Sequence, residues 1–203
     1  MGTIARVSLR RPPPLDRPLD VRRMSQKLEL CDAETVIAQA EPATVVIDPP
    51  KPVSLLDAER AARGYPGFES HIFPTCFGCG PARSVADGLR IFSSRVPGRE
   101  LVAAPWMPDA TLVGSNGRVK PEFVWAALDC PGGWAVAEFQ KEPRIVLGQL
   151  AVEEIRPLPG SEPYIVVGWP VAKEGRKCRA GTAIFSINGL VHAIGEETWI
   201  TVA

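Results

Sequence analysis

One aspartate interrupts an apolar stretch of the sequence and is the strongest candidate for chemistry. Asp129 directly follows the run Phe123–Leu128, which contains no charged residue. Aspartate has a low propensity for the interior of a helix, and its charge is costly to bury. At this position it should therefore be either exposed to solvent or functional. We expect Asp129 to be catalytic or, alternatively, to be a capping or ion-paired residue at a helix break, or to position a ligand.

The residues around Asp129 predict a helix that begins at Pro121 and is disturbed near the aspartate. Proline suits a first helical position, and an acidic residue suits the first turn. Pro131 lacks an N–H, so the turn that holds Asp129 should kink or fray before the helix resumes. The residues that share a helical face with Asp129 are Glu122, Trp125, Gly132 and Gly133. The glycines would let another backbone or a ligand approach this face closely.

The sequence contains one Cys-x-x-Cys pair, Cys76 and Cys79, which raises the possibilities of zinc or redox chemistry. A closed zinc site takes four ligands, and a second close pair is lacking. His71 is the only histidine nearby, and the pair lacks the strand-helix context of a thioredoxin-like motif. The other cysteines are scattered, at Cys31, Cys130 and Cys178. The pattern therefore favours a tight turn with buried thiols, and we predict no metal and no cofactor.

Other common catalytic signatures are missing from the sequence. It has no Gly-x-Ser-x-Gly elbow of a serine hydrolase and no Gly-Lys-Ser/Thr loop for phosphates. The only histidines are His71, which precedes the predicted core strands, and His192, which falls in a late predicted strand. Most aromatic residues are expected to pack the interface between sheet and helix.

Composition excludes several classes of protein. Lys and Arg together number 23, as do Asp and Glu, so the net charge is zero. Without an excess of positive charge to attract phosphates, nucleic acid is not an expected partner. The apolar runs are far shorter than the roughly 20 residues that span a bilayer. An odd number of irregularly spaced cysteines, with no apolar leader after the start, predicts free thiols in a reducing, cytoplasmic setting.

The 21 prolines and 18 glycines indicate many short elements joined by sharp turns, which excludes a long-helix protein. A short helix is predicted over Ser54–Arg63 with Ser54 as its N-cap. Asn188-Gly189 is a strong hairpin signal. The predicted strands are 4–10, 19–23, 27–31, 35–47, 88–96, 100–106, 145–155, 164–172, 177–187 and 190–202. The proline-rich segment after residue 48 predicts three regions, 1–48, a linker 49–70 and 71–203.

The two ends of the chain repeat one pattern, in which a strand enters a proline-rich corner and three more strands follow. The corners are residues 11–18 and 156–163. Any antiparallel meander could look similar, which is the simpler interpretation. If the repeat is real, the first copy begins at the strand that should follow its helix, so it is incomplete. We expect either a second subunit to cover its open edge or residues to be missing before Met1.

Three stretches resemble the hotdog-fold thioesterase-like proteins. The segment Cys76-Phe77-Gly78-Cys79-Gly80-Pro81, with Gly88-Leu89 after it, is similar to their entry into the first core strand. The stretch 121–134 is similar to their central helix, and 169–185 to their paired long strands. The chain is most similar to double-hotdog acyl-CoA thioesterase-like proteins of the actinobacterial type, with the first hotdog incomplete.

This resemblance implies an α+β fold, in which a curled antiparallel sheet wraps a central helix, with a partial second hotdog at the N-terminus. It also implies that backbone amides at the helix start, around Glu122 and Phe123, bind the thioester carbonyl. Asp129 matches the carboxylate that activates water or attacks directly. Glu197 stands where a glutamine commonly places the water, and two carboxylates would repel each other unless one held a proton.

The resemblance implies a hydrolase acting on an acyl-CoA or acyl-carrier thioester in lipid metabolism. Trp125, Gly132 and Gly133 would then border the substrate. The alternative is a non-catalytic hotdog module that binds an acyl thioester or serves in an assembly, which Glu197 and the curtailed first repeat favour. The open edge predicts a homodimer or a higher homo-oligomer.

Overall fold

The computed structural model describes residues 5–142 and 144–202, which form one antiparallel sheet with two α-helices. The strands are β1 (Ala5–Leu9), β2 (Asp20–Arg23), β3 (Leu28–Asp32), β4 (Thr35–Pro42), β5 (Ser94–Arg95), β6 (Val102–Trp106), β7 (Ile145–Glu154), β8 (Tyr164–Glu174), β9 (Lys177–Ser186) and β10 (Val191–Thr201). The helices are α1 (Leu55–Arg63) and α2 (Pro121–Ala135). The strand order is β2-β3-β4-β1-β7-β10-β9-β8-β6-β5.

The two helices pack on opposite faces of the sheet because its strands alternate apolar side chains to both sides. Val166 of β8 faces α2 and packs with Leu128, whereas Val167 faces α1 and packs with Ala58. This period of two is the geometry of a strand buried on both faces. The predicted α+β architecture, a curled antiparallel sheet around a central helix, is confirmed.

Helix α2 continues through Pro131, so the predicted fraying of the turn that holds Asp129 is wrong, whereas the predicted continuation of the helix is confirmed. The α-helix runs to Ala135 and passes into a π-helical turn over Val136–Gln140. Tight packing stabilises this turn against the missing hydrogen bond: a Cβ at Gly168 of β8 would overlap the Pro131 carbonyl. Tertiary contact therefore overrides the local preference of proline.

Strand β1 pairs with β7 and joins the N-terminal strands to the rest of the sheet. Outward from this junction the strands follow the order β1-β4-β3-β2 on one side and β7-β10-β9-β8 on the other. On both sides the first strand of the set along the chain lies innermost, and the fourth, third and second follow. The register Val7↔Leu150 places Val7 on the α2 side of the sheet. No helix of the described residues covers that side of β1–β4, where Val21 is 68% exposed and Leu9 is 46% exposed.

Residues 69–93 contain neither helix nor strand, so most of the predicted strand 88–96 is wrong. Only Ser94–Arg95 pairs as a strand. The backbone of this segment bonds to itself instead: the Leu89 N–H donates to the Phe77 carbonyl, and the Ile91 N–H donates to the Gly78 carbonyl. The segment is thus a compact loop closed on the Cys76–Cys79 turn.

The predicted N-cap of α1 and the predicted hairpin turn are both present in the structure. Ser54 caps α1, since its Oγ accepts the Asp57 N–H at 3.1 Å. The Asn188-Gly189 turn joins β9 to β10, with Gly189 at a φ of +81°. Within the described ranges, every helix is too short or too polar to cross a bilayer.

Candidate functional site

Asp129 lies in the middle of α2 and is partly buried. Its carboxylate makes no ion pair and no side-chain hydrogen bond within residues 5–142 and 144–202. Burial, with a smaller effect from the neighbouring Cys76, raises the pKa of Asp129 to about 7. The alternative of a capping or ion-paired residue at a helix break therefore finds no support, because the helix does not break and the carboxylate has no such partner among the described residues.

Glu197 lies on β10 under α2 and is completely buried. Its Oε2 accepts a hydrogen bond from Trp199 Nε1 at 2.6 Å, whereas its Oε1 has no partner in the described part of the chain. Burial and then the charge of Asp129 raise the pKa of Glu197 well above its usual range. A protonated Glu197 removes the charge repulsion with Asp129 that two ionised carboxylates would suffer.

Gly132 and Gly133 are buried against β10, so the close approach that they allow is made by the sheet. A Cβ at Gly132 would overlap Glu197 Oε2, and a Cβ at Gly133 would lie 2.9 Å from the Trp199 ring. Side chains of β10 thus occupy the space that the sequence suggested for a ligand.

The start of α2 offers one free amide. Lys120 is the N-cap residue without a side-chain cap, and Pro121 has no N–H to offer. The Phe123 N–H donates to the Lys120 carbonyl at 3.0 Å, so it is not available as an oxyanion donor. Glu122 is exposed, and its N–H has no hydrogen-bond partner among the described residues. Glu122 and Asp129 are seven residues apart, which is about 10 Å along a helix.

The aromatic residues near this helix are part of the packing. The Phe123 ring lies 5.9 Å from the Phe77 ring, and Trp125 packs against the core on the α2 side. His192 is buried in β10, where its Nδ1 lies 2.7 Å from the Pro157 carbonyl oxygen, as expected for a sheet residue.

Three thiols meet beside Asp129, a cluster that the sequence did not predict. The Cys76 Sγ lies 3.5 Å from the Cys130 Sγ and 3.7 Å from the Cys79 Sγ. His71 Nε2 lies 3.3 Å from the Cys79 Sγ. Cys130 is therefore not scattered: α2 presents it to the Cys-x-x-Cys turn. We call Cys76, Cys79, Cys130 and His71 the thiol cluster.

The thiols share their protons unequally. Hydrogen bonds from the Cys130 and Cys79 thiols lower the pKa of Cys76. The same hydrogen bond to Cys76 raises the pKa of Cys130 well above its usual value. A single thiolate at Cys76, held by two thiol donors, is the arrangement that these contacts stabilise.

Two surface clefts lie away from these residues. One has a volume of about 440 Å³ and includes Arg10, Lys177 and Arg179, and the other has about 290 Å³ and includes Arg60 and Arg99. Neither is lined by Asp129 or by the thiol cluster.

No protein-family model matches the sequence, and no curated protein is significantly similar to it. Solved structures share its fold. A thioesterase superfamily protein superposes with a TM-score of 0.51 at 23% identity, over 57% of this chain and 55% of that protein. This chain thus matches little more than half the length of that protein.

Two further structures superpose less well. A thioesterase superfamily protein from Shewanella loihica PV-4 has a TM-score of 0.47 at 24% identity, over 61% of this chain and 98% of that one. A mutant of the phenylacetic acid degradation protein PaaI from Thermus thermophilus has a TM-score of 0.47 at 15% identity, over 52% of this chain and 88% of that one.

Proposed function

We propose that this hotdog-fold protein hydrolyses an acyl thioester, carried by coenzyme A or an acyl carrier, with Asp129 as the base or nucleophile. The observation that carries the proposal is the unpaired Asp129 carboxylate on the helix that the sheet wraps. A carboxylate without an ion-pair partner in the described chain is available to accept a proton from water or to attack a carbonyl.

The oxyanion donor has to be placed separately from the base. Reacting atoms must come within about 3–3.5 Å of each other, whereas the free Glu122 amide is about 10 Å from Asp129 along the same helix. Direct attack by Asp129 on a carbonyl held by this amide is therefore not possible within one copy of α2. We propose that the amide acting with a given Asp129 comes from a second copy of the chain.

A homodimer or larger homo-oligomer is also favoured by the uncovered face of β1–β4. Soluble monomers rarely expose large apolar patches, and Leu9, Val21 and Leu28 are all exposed on this face. We expect light scattering to give a mass of at least two chains at micromolar concentration. A strictly monomeric protein would contradict both the dimer and the shared site.

The hydrolysis proposal is tested by a thiol-release assay across acyl-CoA chain lengths. Positioned general-base catalysis contributes about 100-fold to 10,000-fold, so Asp129→Asn should lose at least about 100-fold in turnover. The matched control is Asp57→Asn, because Asp57 is an exposed helical aspartate on α1, on the other side of the sheet. Full turnover by Asp129→Asn would remove Asp129 from the mechanism.

A non-catalytic acyl-thioester-binding module is the second candidate, favoured by the burial of Glu197. Its carboxyl is shielded from solvent and bonded to Trp199, so it is not placed to orient a water molecule as a strand glutamine would. Measurable affinity for acyl-CoA by calorimetry, without turnover of any chain length, would favour this candidate.

We further propose a reducing, cytoplasmic location and a role in acyl-CoA or lipid metabolism. All five cysteines are free thiols in the structure, which suits a reducing compartment. An enzyme or module for acyl thioesters would find its ligands there.

A further inference from the structure

We propose that the thiol cluster binds one zinc ion, with the sulfurs of Cys76, Cys79 and Cys130 and the Nε2 of His71 as its four ligands. The site is structural, and it does not depend on the thioesterase proposal. It lies between the irregular segment 69–93 and helix α2.

The separations between the sulfurs are close to those around a tetrahedral zinc ion. Zinc–sulfur bonds of about 2.3 Å and zinc–nitrogen bonds of about 2.0–2.1 Å put two sulfurs about 3.8 Å apart and a sulfur and a nitrogen about 3.6 Å apart. The measured separations are 3.5 Å and 3.7 Å between sulfurs and 3.3 Å from Cys79 Sγ to His71 Nε2. All three sulfurs lie within 4.8 Å of one another. His71 lies outside this group, so its Nε2 is more than 4.8 Å from at least one of the other sulfurs. Small shifts would bring the three sulfurs onto one ion, and the imidazole would have to move by about 1 Å or more to become the fourth ligand.

The Cys-x-x-Cys turn is shaped to bring its sulfurs to the helix. A Cβ at Gly78 would lie 2.7 Å from the Cys130 Sγ, and a Cβ at Gly80 would lie 2.5 Å from the Cys76 backbone nitrogen. Only glycine allows these approaches without a shift. The Gly80 N–H donates to the Cys76 carbonyl at 2.9 Å, which closes the turn around the pair.

The groups around the ligands hold them in place, as outer-shell contacts do at metal sites. The Tyr65 hydroxyl donates to the Cys79 carbonyl at 2.8 Å. The rings of Trp134 and Tyr65 lie 5.5 Å and 6.1 Å from the His71 ring and shield it on two sides. The backbone turn and its aromatic surroundings therefore restrict where the thiols and the imidazole can go.

His71 must change its proton arrangement to bind the ion. In the structure the Phe73 N–H donates to His71 Nδ1 at 2.9 Å, so a neutral ring carries its proton on Nε2. Coordination through Nε2 moves that proton to Nδ1 and turns the Phe73 amide away. This rearrangement weakens His71 as a ligand, so we expect its loss to be tolerated better than the loss of a cysteine.

The ion would stabilise a part of the fold that lacks regular structure. Irregular segments as long as residues 69–93 are uncommon inside a compact domain unless something holds them. Zinc would tie the segment to α2 through Cys130, one residue from Asp129. Because the unfolded chain has no preformed site, the binding energy of the metal would add to the stability of the fold.

The first experiment measures metal content. Wild-type protein purified under reducing conditions from zinc-supplemented cells should contain one zinc per chain, as measured by inductively coupled plasma mass spectrometry. Cys130→Ser should lose it, whereas Cys31→Ser, the matched change of a buried cysteine outside the cluster, should retain it. Zinc retained by Cys130→Ser, or absent from the wild type, would overturn the proposal.

The second experiment keeps the test valid if Cys130→Ser fails to fold. Wild-type protein, stripped by a chelator and shown to be folded by circular dichroism, is titrated with Co²⁺ alone. We expect a sulfur-to-cobalt charge-transfer band and the intense visible bands of tetrahedral cobalt, saturating at one equivalent. Folded wild type without these bands, or with a Cys76–Cys79 disulfide in their place, refutes the site. In His71→Asn the charge-transfer band should persist and the visible bands should shift; unchanged visible bands would exclude His71 as a ligand.

Discussion

The contact between α2 and β10 determines what a single methyl group would do at position 132. In Gly132→Ala the new Cβ would overlap Glu197 Oε2 and lie 2.5 Å from Glu197 Cδ. The carboxyl cannot swing into solvent because Glu197 is completely buried. Relieving this overlap moves the helix away from the sheet, and it also displaces the Oε2 that accepts the hydrogen bond from Trp199.

The change in the free energy of unfolding is the sum of three contributions. Overpacking a buried site costs about 1–3 kcal/mol, and leaving a buried hydrogen-bonding group unpaired costs about 1–3 kcal/mol. Replacing a helical glycine by alanine returns about 1 kcal/mol. Gly132→Ala should therefore lower the free energy of unfolding by about 3 kcal/mol.

Urea unfolding followed by tryptophan fluorescence measures this change. The matched control is Gly64→Ala, where the nearest atoms to a new Cβ lie 3.5 Å away and the change should be within about 0.5 kcal/mol. The double variant Gly132→Ala with Glu197→Ala makes room for the methyl group, so its loss should be at least about 1 kcal/mol smaller than the two single losses combined. Gly132→Ala with wild-type or higher stability would show that α2 does not press on Glu197.

Three further changes have defined outcomes. Glu197→Gln should gain stability relative to wild type as pH rises above about 4.5. Burial raises the folded pKa of Glu197, so ionisation then favours the unfolded chain. If urea unfolding gave the same difference in free energy of unfolding between the two proteins at every pH from 4 to 8, the prediction would be contradicted. Ser54→Ala should cost about 1 kcal/mol by thermal unfolding, since it removes the cap to the Asp57 N–H. Gly189→Ala should cost about 1–2 kcal/mol in the same assay because of the positive φ, and an unchanged Tm would exclude the strained turn.

Much of the fold follows from local patterns in the sequence. The predicted strands 145–155, 164–172, 177–187 and 190–202 and the Asn188-Gly189 hairpin turn are confirmed by the structure. The start of α2 at Pro121 and the Ser54 cap are also confirmed. These features depend on residues within a few positions of each other, which is why the sequence alone suffices.

Other features were mispredicted because distant contacts outweigh local preferences. Pro131 predicts a frayed turn, yet Gly168 packs against it and α2 continues without interruption. Residues 88–93 look like a strand, yet their amides bond to the Cys76–Cys79 turn. Gly132 and Gly133 suggested space for a ligand, and β10 takes that space with Glu197 and Trp199.

The resemblance of the sequence to the hotdog-fold proteins implied the α+β class. The residues themselves determined the helix that begins at Pro121 and Asp129 as the aspartate to test, because turn chemistry and the cost of a charge in an apolar helix are local properties. Only the tertiary structure decided which groups meet: Cys130 with the Cys76–Cys79 turn, and Glu197 with the turn of α2 that follows Asp129. These pairs are far apart along the chain, and the packing of α2 on the strands brings them together.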